Sequence, residues 1–309
     1  MPSPSGSCRA TPLLLSSGVA SLAPSIHDNL WLQADRVAER ARESGALVPL
    51  DSTVDWIQDA GFRFAVQVLG GVYRQRQRSS RAPGGQRNPF LPHDPALFVA
   101  DLSPTHHVLL NKYPVIPRHL LVVTRAFVDQ ELPLGFEDFE ALWRCLLHDE
   151  QPRSLGFYNS SPDAGASQRH RHLQVVALPI GGATEGTPFD AAFERAGARP
   201  DLLPELPFAH AAVRFEAPDR ADTGWYAAAT LDHYRLALEA VGRDPARPGA
   251  YNLLVTRRFL CVVPRCRERF GPVSVNALGF CGVLLARDHG ELESLRQAGP
   301  MTALREVAG

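Results

Sequence analysis

The stretch Gly156 to Ala177, GFYNSSPDAGASQRHRHLQVVA, constrains this chain more than any other. His170, His172 and Gln174 occupy alternate positions and run into the apolar pair Val175-Val176. That spacing reads as the start of a strand. Side chains alternate faces along a strand, so two imidazoles and an amide share one face. The segment just before it, Asp163-Ala164-Gly165-Ala166-Ser167-Gln168, is small and polar, the composition of a loop whose backbone N–H groups approach an anion.

The surrounding texture fits an antiparallel sheet covered by helices. From Asn88 to Arg125, short apolar runs alternate with turn residues, and strands are expected over 96–100, 106–110 and 119–124 as a meander. Further strands are expected over 62–69, 155–159 and 208–213, with a hairpin-like pair at 251–256 and 259–264. Helical periodicity covers 28–45, with Asp28 as N-cap and Gly45 as stop, then 135–149, 225–241 and 289–307. The strand, turn and Pro-Arg texture of 108–125 recurs loosely at 251–265. The expected class is therefore α+β: a disordered leader over 1–27, a half at 28–180 bearing H-x-H-x-Q, a Gly, Ala and Pro-rich linker at 181–204, and a second half at 205–309.

Composition removes several alternatives. With 32 basic and 33 acidic residues the formal net charge is −1, so no global field points to nucleic acid or a membrane surface. No stretch reaches the roughly 20 apolar residues of a membrane span. Five cysteines without a C-x-x-C pair support neither a disulfide framework nor a cysteine zinc site. His106, His107 and His119 lack a carboxylate or cysteine at ligand spacing and read as structural rather than metal-binding. Arg74 to Arg87, with five arginines, reads as a solvated loop, with phosphate recruitment as the alternative. Lys112 stands where a strand ends in a turn, a position from which a point charge reaches a phosphate.

A neutral imidazole is a good nucleophile because its ordinary pKa is about 6.5. Attack on phosphorus gives a phosphoramidate that is readily broken again, and the protein's work is positioning and charge stabilisation. His172, central in the triplet, is the expected nucleophile. Gln174 donates to a non-bridging oxygen, and His170 or its carbonyl holds the other ring nitrogen. A metal site is the weaker reading, because Gln174 is a poor third ligand.

The run Asn159-Ser160-Ser161-Pro162-x-x-Gly165-Ala166-Ser167-Gln168-x-His170-x-His172-Leu173-Gln174 resembles the active-site signature of the diadenosine tetraphosphate (Ap4A) phosphorylases, or ATP adenylyltransferases. These belong to the histidine-triad superfamily, in the branch shared with galactose-1-phosphate uridylyltransferase. The similarity extends to residues 88–92, 110–113, 251–256 and 275–280. It implies two histidine-triad-like halves and reversible phosphorolysis of Ap4A to ATP and ADP through an adenylyl-histidine. His172 would carry AMP, with His170 and Gln174 completing the catalytic set and Gln174 contacting the α-phosphate. Asn111, Lys112, Asn159, Gly165, Ala166, Ser167, Gln168, Asn276, Ala277, Leu278 and Arg287 would bind substrate, Arg287 falling where the family has lysine. No tightly bound cofactor or protein-held metal is implied, but Mg2+ is expected on the polyphosphate. The implied partners are Ap4A, ATP, ADP and phosphate, in a cytoplasmic monomer or homodimer without nucleic acid or membrane. The alternatives are a sugar-1-phosphate uridylyltransferase-type enzyme and a nucleotide-binding sensor without turnover.

Overall fold

The computed structural model describes residues 30–70, 88–147, 153–218 and 221–309. The expected leader over 1–27 and the arginine-rich stretch 74–87 lie outside the described residues. In chain order the first half contains α1 (Leu30–Glu43), β1 (Ser52–Asp59), β2 (Phe62–Leu69), β3 (Phe98–Asp101), β4 (His106–Leu110), β5 (His119–Thr124), α2 (Phe136–Leu146), β6 (Ser154–Asn159) and β7 (His172–Ala177). The remainder contains α3 (Asp190–Phe193), β8 (Ala211–Arg214), α4 (Thr223–Ala240), β9 (Tyr251–Val255), β10 (Phe259–Pro264), β11 (Arg269–Phe270), β12 (Val273–Ser274), β13 (Val283–Ala286), α5 (His289–Ala298) and α6 (Pro300–Val307).

Eight strands form one sheet in the order β3-β4-β5-β7-β6-β9-β10-β8, antiparallel throughout. The two halves meet through the β6–β9 pairing, in which Asn159 faces Asn252. The sheet separates two cores, which explains why its strands are apolar at nearly every position. Leu173 and Val175 of β7, with Leu253 of β9 and Val262 of β10, face one core under α1, α2 and α4. Val176, Phe157, Leu254 and Val263 face a second core. By alternation His172, Gln174 and Asn159 also belong to that second side. The site therefore opens on the face opposite the helical layer.

That second face carries a smaller sheet, β1-β2-β13, in which β13 runs parallel to β2 and brings a C-terminal strand onto the N-terminal half. β1 went unseen in the sequence because it is half-exposed and interleaves Asp55, Gln58 and Asp59 with its apolar residues. The expected helix over 289–307 is broken into α5 and α6 where Gly299 takes φ +85° ahead of Pro300. Residues 181–204, expected as the connection between halves, contain α3 and bury Phe189, Phe193 and Leu203 in the second core.

Gly156 lies on β6 against α2. A Cβ there would approach Leu142 Cδ1 to 2.8 Å. Gly156→Val is accordingly expected to destabilise the protein by about 1–3 kcal/mol through overpacking. A lower urea midpoint with an unchanged slope is the expected observation.

Candidate active site

A cavity of about 740 Å³ opens beside the start of β7, a size suited to a nucleotide-scale ligand. His172 forms part of its wall although it is 4% exposed. Its ring is fixed by its own strand: Nδ1 lies 2.8 Å from the His170 carbonyl. A carbonyl only accepts, so the proton sits on Nδ1 and Nε2 keeps its lone pair for the cavity. Burial, more than any other influence, pulls the His172 pKa down to about 4, so the ring is neutral at pH 7.

His170 is spent on structure. Its Nε2 donates to the Thr124 carbonyl at 2.8 Å, and its Nδ1 receives Asn88 Nδ2 at 2.9 Å. Asn88 has no freedom to reverse, because its Oδ1 accepts the Phe90 N–H. Burial lowers the His170 pKa. Gln130 ties the ends of β6 and β7 together: its Oε1 accepts the His172 N–H at 2.9 Å, and its Nε2 donates to the Asn159 carbonyl at 2.7 Å.

Gln174 is oriented by a relay. The Tyr113 N–H occupies Asn111 Oδ1, so Asn111 Nδ2 is the atom 3.1 Å from His119 Nδ1. His119 Nδ1 must then accept, which places the proton on Nε2, and Nε2 donates to Gln174 Oε1 at 2.8 Å. The Gln174 amide nitrogen is left for the cavity. Burial holds the His119 pKa down to about 4, keeping the ring in this neutral form. His119, which sequence reasoning set aside as structural, thus orients a cavity amide; its only sequence signal is that it opens the strand following Asn111-Lys112.

Asn111, Lys112, Asn159, Gly165, Ser167, Gln168, Asn276 and Leu278 also line the cavity. Lys112 is the chain's single lysine and lies 3.8 Å from Asp94 at the rim. Gly165 also has a packing role. At φ +88° its backbone packs on the C-terminal half, where a Cβ would sit 3.0 Å from Asn276 Cβ. Ala277 acts through its backbone N–H, which donates to Asn159 Oδ1 at 2.9 Å. Ala166 is not brought to the wall; its N–H closes the preceding turn onto the Ser161 carbonyl. Nor is Arg287, whose guanidinium is held by Glu291 and the Pro272 carbonyl. The sequence also missed Asn88, Gln130 and Arg265 as supports. Among the described residues, no group of three or more His, Cys, Asp or Glu is arranged to hold a metal ion.

The arrangement unites an unprotonated imidazole nitrogen, several amides and one lysine around a cavity, which suits transfer of a phosphoryl-linked group to histidine. A family model described as the Ap4A phosphorylase N-terminal domain matches residues 22–195, and one described as the ATP adenylyltransferase C-terminal domain matches residues 204–309. Diadenosine 5',5'''-P1,P4-tetraphosphate phosphorylase 2 of Saccharomyces cerevisiae is 31% identical over 216 residues, covering 62% of this chain and 65% of that protein. Protein APA1 of the same organism is 29% identical over 198 residues, covering 59% and 62%. The chain thus spans just under two thirds of the length of these curated relatives. The crystal structure of yeast Ap4A phosphorylase Apa2 aligns with a TM-score of 0.74 at 26% identity, covering 91% of this chain and 94% of that one. Its complex with AMP aligns equally well, covering 97% of that chain.

Burial also lowers His107 to about 4, as it does His119 and His172, and lowers His170, His210 and His233, so these histidines resist protonation in the folded chain. An unfolded histidine titrates near its ordinary 6.5 and binds protons that these sites refuse. Stability is therefore full above that value and falls as pH drops toward 4, flattening below. A melting temperature that declines across this window, with net proton uptake on unfolding near pH 5, is the expected calorimetric result.

Proposed function

The chain belongs to the Ap4A phosphorylase family, and we propose that it phosphorolyses Ap4A with inorganic phosphate to give ATP and ADP, reversibly. The observation that carries this reading is the His172 ring, tied through Nδ1 to the His170 carbonyl so that an unprotonated Nε2 meets the cavity. In the first step Nε2 attacks the α-phosphorus in line. A P–N bond forms, the bond to the bridging oxygen breaks, and ATP leaves with that oxygen. In the second step an oxygen of phosphate attacks the same phosphorus, the P–N bond breaks, and ADP leaves while Nε2 regains its lone pair.

Negative charge on the non-bridging oxygens would be met by the Gln174 and Asn159 amides, and Lys112 would take the outer phosphates. A divalent cation would enter with the polyphosphate, screening charge that the cavity's one lysine leaves unmatched. Ser167, Gln168, Asn276 and Leu278 would hold the nucleotide against the apolar wall. The buried, unpaired thiols of Cys145, Cys261 and Cys281 suit a reducing compartment, and we assign the enzyme to the cytoplasm. No helix among the described residues is long and apolar enough to cross a membrane.

Mixing the protein with Ap4A, phosphate and Mg2+ is expected to release ATP and ADP in equal amounts, measured by chromatography. ADP as the sole product would mean symmetrical hydrolysis and overturn the assignment. Substrate labelled in the α-phosphate is expected to leave an acid-labile label on the wild-type chain and none on His172→Asn. The rate should also hold well below pH 6.5, failing only as pH approaches 4, where His172 takes a proton.

The relay through His119 gives a test of orientation. His119→Gln retains an N–H donor for Gln174 Oε1, whereas His119→Glu offers only an acceptor and turns the Gln174 oxygen toward the phosphoryl group. His119→Glu is expected to lower kcat by roughly a hundredfold or more, the scale of losing one oxyanion donor. His119→Gln should lose much less; equal losses would remove the orienting role.

A further inference from the structure

Asn159 stands beside the nucleophile but owes its orientation to the opposite half of the chain. Phe157 pairs with Gln174, so Asn159, two residues on, ends level with His172, and Gln130 bridges the two backbones. Asn159 Oδ1 accepts from Asn252 Nδ2 at 2.8 Å and from the Ala277 N–H at 2.9 Å. With its oxygen doubly occupied, its amide nitrogen is the end left for the cavity. Asn252 is held in its turn. Arg265 Nη1 donates to Asn252 Oδ1 at 2.5 Å, and Asn252 Nδ2 also donates to the Ala164 carbonyl at 2.8 Å.

Arg265 is 2% exposed, and the hydrogen-bond acceptors it meets among the described residues are neutral: the Asn252 side chain and the carbonyls of Val307, Ala164, Arg267 and Glu268. A guanidinium has five donors and no acceptor, so it fixes the direction of every hydrogen bond leading away from it. A neutral side chain at this position, able to reverse donor and acceptor, would remove one of the constraints on this polarity, the others being the Ala164 carbonyl and the Ala277 N–H.

We infer that Asn252 and Arg265 are positioning residues that hold the Asn159 amide nitrogen-first toward the phosphoryl group beside His172. The role rests on the nucleotidyl-transfer reading of the cavity. It gives the C-terminal half a direct part in phosphoryl recognition, as the source of hydrogen-bond polarity rather than as a wall.

The test is Asn252→Asp. The new carboxylate still accepts from Arg265, but while ionised it opposes Asn159 Oδ1 instead of donating to it. Expected results are a fall of tenfold or more in AMP affinity with adenosine affinity unchanged, and a matching fall in kcat for Ap4A. Both losses should persist down to the wild-type acid limb, because the Arg265 guanidinium holds the new carboxylate ionised. Asn159→Asp keeps the accepting oxygen and removes the amide nitrogen. It should show the same selective loss, and Asn252→Ala, which adds no second charge beside it, should cost nothing further in its background. Equal losses for AMP and adenosine, or additive losses in the double variant, would overturn the inference. If Asn252→Asp fails to fold, an Asn159→Asp protein that binds AMP normally overturns it as well. A wild type that binds AMP but makes no ATP and ADP would instead sink the phosphorolysis reading, and the binding comparison would still decide the relay.

Discussion

The bond from the His172 ring to the carbonyl two residues earlier sets the terms for everything around it. It selects the tautomer, aims the free nitrogen and requires that the backbone at His170 not move. The fold holds that backbone from three sides. The Arg171 N–H pairs with the Val128 carbonyl, the Arg171 guanidinium reaches Asp138 at 2.9 Å, and Asp138 also accepts from His106 and from the Gly135 N–H. Arg171 and Asp138 are both nearly inaccessible, so this ion pair is a rigid anchor; removing one partner would strand a buried charge. The proposed nucleophile is held in place because the residue before it is tied to both Val128 and Asp138.

The same local bond occurs again, without the chemistry. His210 Nδ1 lies 2.8 Å from the Phe208 carbonyl, also two residues earlier, just ahead of β8. β8 flanks β10 as β7 flanks β5, and β10 pairs β9 as β5 pairs β4. Yet His210 Nε2 receives the Leu203 N–H at 2.9 Å, so its lone pair is already used. What distinguishes His172 from His210 is whether a backbone donor or a cavity meets the second nitrogen. The loose echo between 108–125 and 251–265 thus corresponds to two similar hairpins, of which one supports a site and the other a core.

Much of this was legible in the chain. Strict alternation put His172 and Gln174 on one face, and the small-residue loop and Asn111-Lys112 arrive at the same cavity. The polarity of the site was not legible. Whether an amide shows oxygen or nitrogen depends on partners 55 residues away for Gln174 and 93 for Asn159, and side-chain spacing carries no record of either. His119 was set aside for the same reason: without Gln174 opposite, a histidine opening a strand has no visible purpose. Arg287 misled in the other direction, since a charge at a suggestive position was already committed to Glu291. β1 and the break at Gly299-Pro300 show the usual limits of periodicity, an edge strand with mixed faces and a helix pattern that continues in phase across a stop.

Burial has two opposed effects on the proposed chemistry, and their balance suits a reversible transfer. Lowering the His172 pKa weakens the imidazole as a base and so as a nucleophile, but it also makes the neutral ring a better leaving group from phosphorus. In a two-step exchange the histidine must attack once and depart once, so a nitrogen optimised for attack alone would hold AMP too long. The loss on attack would be offset by the amide nitrogens of Gln174 and Asn159, whose oxygens are already occupied so that no reorganisation is required. Because those donors are neutral, they add no positive field that would depress the histidine further, as lysines or arginines in the same places would. The one lysine sits at the rim, where its charge can meet the outer phosphates at a distance from the nucleophile. Buried neutral imidazoles, amides of fixed polarity and a peripheral cation are thus one solution to a single requirement: a P–N bond that forms and breaks with similar ease.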